Sequence, residues 1–143
     1  MSKLETIEVS AAVIVKDNNV LATQRGYGEF KGKWEFPGGK IQKDESWEDA
    51  LKREIKEELN ADINIVDYLT TVNYDYPNFH LHMKFYLCSL VSDELTLLEH
   101  EDMKWLTAST IGNVDWLPAD IEVAKKVKRM LQTQSSNTPC SKR

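Results

Sequence analysis

Hydrophobic and polar positions change period several times along this chain, and each change marks an element. Glu8 to Lys16 is rich in β-branched residues and predicts a buried strand; Asp17-Asn18-Asn19 is a turn, and Val20 to Gln24 begins a second strand. Trp34-Glu35-Phe36-Pro37 predicts a short strand entering a Gly38-Gly39 loop. The period then becomes helical. Ala50, Leu51, Ile55 and Leu59 form an apolar stripe, and Asp44-Glu45-Ser46 supplies start signals, so the glycine loop feeds a helix ending near Asn60. Ile63 to Val72 is strand-like, with a break expected from Asn73 to Pro77. His80 to Val91 alternates and then becomes a continuous apolar strand, and Leu95 to Trp105 ends in a strand carrying Trp105. Trp116 to Asp120 opens a last helix, for which Pro118 and Asp120 suit the start and Ile121, Val123, Ala124, Val127 and Leu131 give the stripe.

Strands, a helix, more strands and a final helix predict an α+β fold, an α/β/α sandwich. A mixed β-sheet lies between the Gly39–Asn60 and Ala119–Leu131 helices. The 143 residues suit one domain over 1–131, followed by a polar tail, 132–143, expected to be disordered. No apolar run approaches the roughly 20 residues of a membrane span. Cys88 lies in an apolar run and Cys140 in the tail, so no disulfide framework is expected and a cytoplasmic setting is the default. A net charge of −5 without a basic stripe argues against long nucleic acid as a partner. It does not argue against a small nucleotide arriving with its metal. Whether the chain is a monomer or a homodimer is not written in this pattern.

The candidate chemistry sits on the first helix. Glu54, Glu57 and Glu58 are spaced i, i+3, i+4 and project from one helical face. Clustered carboxylates suit a hard cation, and Mg²⁺ typically takes one or two of them together with substrate phosphates. Three glutamates alone are equally compatible with a solvated acidic face. The longer string decides between these readings: Gly39, five residues, Glu45, seven residues, Arg53-Glu54, two residues, then Glu57-Glu58. Those six positions match by chance in roughly one window per twenty million. His80 and His82 share one strand face, but no third His or Cys is near in sequence, which argues against zinc.

This string resembles the signature of the Nudix hydrolases, and Glu35-Phe36-Pro37-Gly38-Gly39-Lys40 looks most like the MutT-type branch, which includes CTP pyrophosphohydrolases and 8-oxo-dGTP diphosphatases. One position departs: Asn60 stands where the family has glycine, and Asn is the next-best residue for a left-handed helix end. The resemblance implies an α/β/α sandwich and Mg²⁺-dependent hydrolysis of a nucleoside triphosphate to the monophosphate and pyrophosphate, with Mn²⁺ as a possible substitute ion. Glu54, Glu57, Glu58, Glu99 and the Gly38 carbonyl would hold the metal, and Glu57 or Glu99 would take the proton of the attacking water. Glu101 substitutes for Glu99 if the register slips. Arg53 would pair with Glu45 and orient the cluster. Arg25 would contact substrate phosphate, Lys40 would serve the phosphates, Tyr76 would stack on the base, and Asp120 would hydrogen-bond it. For Asp120 the competing reading is a helix cap. Competing activities are hydrolysis of another nucleoside diphosphate-linked substrate, such as ADP-ribose or a dinucleoside polyphosphate, and a non-catalytic binding module. The Leu-Pro-Ala-Asp segment leans toward a pyrimidine triphosphate.

Overall fold

Strand β1 (Glu5–Lys16) is the element against which most of the sheet is laid. In the computed structural model, which describes residues 5–92, 94–97 and 102–137, Ala11 and Val13 enter one core while Ala12 and Ile14 enter another. Burial on both faces explains why no polar residue interrupts this run. The turn after it is a two-residue one, with Lys16 opposite Asn19 and Asp17 and Asn18 at φ 52° and 65°. These left-handed values match the twist of the flanking strands, and Asp and Asn tolerate them.

Beyond the turn comes β2 (Asn19–Gln24), followed by the short β3 (Trp34–Glu35) and β4 (Gly38–Lys40). The two edges of β1 differ. One pairs in parallel with β6 (Phe79–Leu90), from Glu5 opposite Phe79 to Ile14 opposite Cys88. The other is divided: Val9 to Ala11 pair with β4, whereas Val15 and Lys16 pair with β2, both antiparallel. β7 (Asp102–Leu106) runs along the far edge of β2 from Val20 to Gln24, β3 pairs with Thr23 and Gln24 on the edge β2 shares with β1, and β5 (Ile63–Tyr76) completes the sheet against β6. The sheet is therefore mixed. Helix α1 (Trp47–Leu59) covers one face through Leu51, Ile55 and Leu59, and α2 (Ile121–Asn137) covers the other through Val123, Val127 and Leu131.

Three boundaries differ from the expectation. Gly38-Gly39-Lys40 is a strand rather than a loop, because β1 offers it backbone partners. Strand β5 does not break at Asn73 but continues to Tyr76, since β6 pairs with it throughout that stretch. On the exposed face of this hairpin, His80 contacts Asp75 and Asn73, and His82 contacts Asn73 Oδ1 at 2.7 Å. Helix α2 runs to Asn137 rather than ending at Leu131, so residues 132–137 of the expected tail are helical, and 138–143 lie outside the described residues. Cys88 is a buried free thiol. No helix among the described residues is long and apolar enough to cross a membrane.

Leu51 is fully buried under the sheet, so Leu51→Ala removes contacts that α1 needs for its seat. Urea unfolding is expected to show a loss of about 2–5 kcal/mol.

Candidate active site

Helix α1 carries the acidic cluster, and its ends are fixed locally. Ser46 caps the start by accepting from Asp49 N at 3.0 Å, and Asn60 ends it at φ 50°, donating its N–H to Lys56 O at 3.0 Å. The sequence departure at Asn60 therefore preserves the left-handed helix end.

Arg53 gathers the residues around it. Its Nε and Nη2 donate to Glu45 at 2.6 and 3.0 Å, Nη2 also donates to Lys40 O at 3.0 Å, and Nη1 donates to Glu54 at 2.9 Å and Glu57 at 3.2 Å. Glu45 does not cap the helix; it bridges Arg53 to Gln42 N, at 2.9 Å. The hydrogen bond from Arg53, followed by that from Gln42, holds the Glu45 carboxyl below its ordinary range. Arg53 is itself raised, chiefly by Glu45, and stays a cation throughout any working pH.

Gly38 and Gly39 are required by close approach. A methyl at Gly38 would overlap the Ser10 carbonyl, and one at Gly39 would overlap the Glu54 carboxylate. Strand β4 is thus pressed between β1 and the helix face. A polar cavity of about 610 Å³ opens here, lined by Gly38, Gly39, Lys40, Glu54 and Glu58 among others. Glu58 is 4% exposed, whereas the Glu57 side chain is 49% exposed and turned to Arg53. The three glutamates thus do not present equally: Glu54 and Glu58 line the cavity and Glu57 flanks it. Among the described residues no closed group of three His, Cys, Asp or Glu ligands is formed. The hard oxygen donors and the backbone cradle fit a divalent ion that shares its shell with substrate oxygens and water.

A second, more apolar cavity of about 280 Å³ adjoins this one, with Phe30, Tyr76, Phe79, Leu81 and Leu117 in its walls. Tyr76 is buried, its ring stacked on Phe79 at 5.1 Å, and its hydroxyl accepts from Ala119 N at 3.3 Å. Asp120, 1% exposed, also lines this cavity and does not act as the helix cap of the competing reading: its Oδ2 accepts from Phe36 N at 2.9 Å. Backbone bonds from Trp34 N to Asp115 O and from Leu117 N to Trp34 O bring the two segments together. Burial pushes the Asp120 carboxyl up to about 8; Phe36 N opposes the rise, the Glu35 charge adds to it, and Arg25 opposes it.

Arg25 follows β2 and is held by Glu35, with Nη2 to Oε1 at 2.6 Å and Nε to Oε2 at 3.2 Å. Burial lowers the Arg25 pKa, but the Glu35 hydrogen bond and charge outweigh it, so the group stands raised. Arg25, Glu35 and Lys40 line both cavities.

The family described as NUDIX domain matches residues 6–129. This chain belongs to the Nudix family. The 8-oxo-dGTP diphosphatase of Proteus vulgaris is 39% identical over 98 residues, covering 67% of this Nudix chain and 88% of the relative. The CTP pyrophosphohydrolase of Escherichia coli K12 is 31% identical over 119 residues, covering 82% and 88% respectively. Among solved structures, a DNA mismatch repair protein MutT of the Nudix hydrolase family, from methicillin-resistant Staphylococcus aureus 252, superposes with a TM-score of 0.73 at 35% identity. It covers 90% of this chain and 99% of that one. The protein is accordingly a Nudix hydrolase, of a family that acts on small nucleotide substrates and generally uses a divalent metal.

Of the residues singled out in the Nudix sequence, the structure brings Gly38, Lys40, Glu54 and Glu58 to the polar cavity, Tyr76 and Asp120 to the apolar one, and Arg25 and Lys40 to both. Arg53, Glu45 and Glu57 form the adjoining ion cluster. Glu99 and its substitute Glu101 lie outside the described residues. Sequence reasoning missed Glu35 and Phe30. The signal for Glu35 was a lone acid in Trp-Glu-Phe-Pro, and only the fold shows that it is inward and paired.

Two outcomes follow. Arg53→Lys loses the planar fork, and kcat/KM is expected to fall by about 10–100-fold. Asp120→Asn keeps the acceptor for Phe36 N but removes the proton. The folded pKa is raised, so the wild-type protein loses stability as pH rises from the ordinary carboxylate range to about 8. Thermal unfolding across that window should show Asp120→Asn gaining on wild type progressively as pH rises.

Proposed function

We propose that this Nudix hydrolase converts a nucleoside or deoxynucleoside triphosphate to the monophosphate and pyrophosphate, with Mg²⁺ as the working ion. The observation that carries the reading is the pair of adjoining cavities, one apolar and closed by a buried carboxyl, the other polar and lined by glutamates and a glycine strand. A base fits the first and a polyphosphate the second, with Arg25 and Lys40 between them.

Glu54 and Glu58, with the Gly38 carbonyl and Glu57 beside them, are the residues that would hold Mg²⁺. Bound there, the ion supplies charge neutralisation on phosphate oxygens and a lowered pKa for water. Phosphoryl transfer asks mainly for positioning and charge neutralisation, so no covalent nucleophile is required of the chain. Arg53 keeps Glu54 and Glu57 oriented, and Lys40 offers a cation to the phosphates. Attack at the β-phosphorus is what the MutT-type resemblance implies, with a glutamate, Glu57 or Glu99, taking the proton.

Asp120 is the base-reading group of this proposal. Its neutral form donates to a ring carbonyl, and its charged form accepts from an exocyclic amino group. The relatives above are an 8-oxo-dGTP diphosphatase and a CTP pyrophosphohydrolase, and the Asp120 side chain is compatible with an oxidised guanine or a cytosine.

A Mg²⁺-dependent screen over normal and oxidised NTPs and dNTPs, with NDP-sugars included, tests the reading. Pyrophosphate release from at least one triphosphate is expected, with Glu54→Gln and Glu57→Gln each lowering kcat by about 100-fold or more. Turnover of NDP-sugars alone, with every triphosphate untouched, would overturn it.

A further inference from the structure

A carboxylate in the wall of a polyphosphate cavity needs a reason. Glu35 repels an anionic substrate unless its charge is spent on a neighbour, and its side chain is only 14% exposed. Its neighbour is Arg25, gripped side-on through Nε and Nη2. A guanidinium carries five N–H groups; two face Glu35, which leaves three for other acceptors. Both backbones are locked. Thr23 pairs with Glu35 and Gln24 with Trp34, Arg25 N donates to Lys33 O at 2.9 Å, and Thr23 Oγ1 donates to Glu35 O at 3.3 Å.

Resting on the proposed function above, we infer that Glu35 is a positioning residue. It holds the Arg25 guanidinium at the boundary of the two cavities, so that the remaining N–H groups meet the nucleotide where its sugar joins its phosphates. The arrangement has two consequences. Arg25 cannot swing into the polar cavity and pair with Glu54 or Glu58, which would set it against the metal. And Glu35, its charge offset by Arg25, stands next to the phosphates without strongly repelling them. Glu35 acts through Arg25, so its removal should weaken substrate capture and leave the chemical step alone.

The test is a double-mutant cycle on whichever nucleotide the wild-type protein hydrolyses fastest. Glu35→Ala and Arg25→Ala are each expected to raise KM about tenfold with kcat within about threefold. The double variant should be no worse than the worse single one, because the two residues act as a unit. Glu35→Gln, isosteric and still an acceptor, should fall between wild type and Glu35→Ala, and its Arg25 Nε–H NMR signal should shift. Additive losses in the double variant, an unchanged KM in Glu35→Ala, or a collapse of kcat at unchanged KM would each overturn the inference; the last would make Glu35 part of the reacting centre. If only nucleoside diphosphate-linked substrates are turned over, the proposed function fails while the cycle still decides the role of Glu35.

Discussion

The rest of the site depends on the Arg53 fork. One guanidinium reaches Glu45 in the segment before the helix, the Lys40 carbonyl at the end of β4, and Glu54 and Glu57 on its own helix. A lysine presents a point charge and cannot hold four partners in fixed directions. Acidic side chains crowded on one face repel one another, and a cation placed among them offsets that cost while Glu54 and Glu58 still line the polar cavity. The same bonds tie helix, loop and strand together, so the orientation of the carboxylates and the seat of α1 are one problem with one solution.

The divided edge of β1 is the second constraint. Because β4 pairs with Val9 to Ala11 and β2 with Val15 and Lys16, the chain between β3 and β4 must change neighbours at Phe36-Pro37. That change aims Phe36 N at Asp120 and delivers Gly38-Gly39 beneath the helix. The apolar and polar cavities therefore adjoin because one short segment makes the crossing. Bulk at Gly39 would push Glu54 away, and bulk at Gly38 would push β4 off β1.

Much of this was legible in the chain. The helical stripe through Leu51, Ile55 and Leu59, the Ser46 start and the Asn60 end follow from local rules, and the first helix agrees with them closely. The spacing of Glu45, Arg53 and the three glutamates is local as well, which is why their clustering could be read in advance. What escaped depended on partners distant in sequence. Strand β5 carried break signals at Asn73 and Pro77, yet pairing with β6 overrode the first and placed the second at the hairpin turn. For Asp120 a cap was the competing reading because it precedes a helix; its partner, Phe36 N, is 84 residues away. Glu35 gave only the weak signal of a lone acid, since nothing in a two-residue strand tells whether a carboxylate faces water or an arginine.

The electrostatic layout also sorts the acids by task. Glu45, bound by Arg53, is held ionised, and its role is mechanical. Asp120, buried against the Phe36 backbone donor, is pushed toward the neutral form, in which it carries a proton. Glu35 acts on Asp120 in two opposed ways: its charge raises the carboxyl, while Arg25, which it holds, lowers it. A change at Glu35 that frees Arg25 would therefore alter the protonation of Asp120 without touching it. The two cavities thus share one ion pair, and the carboxyl in the wall of the apolar one feels any change made to it.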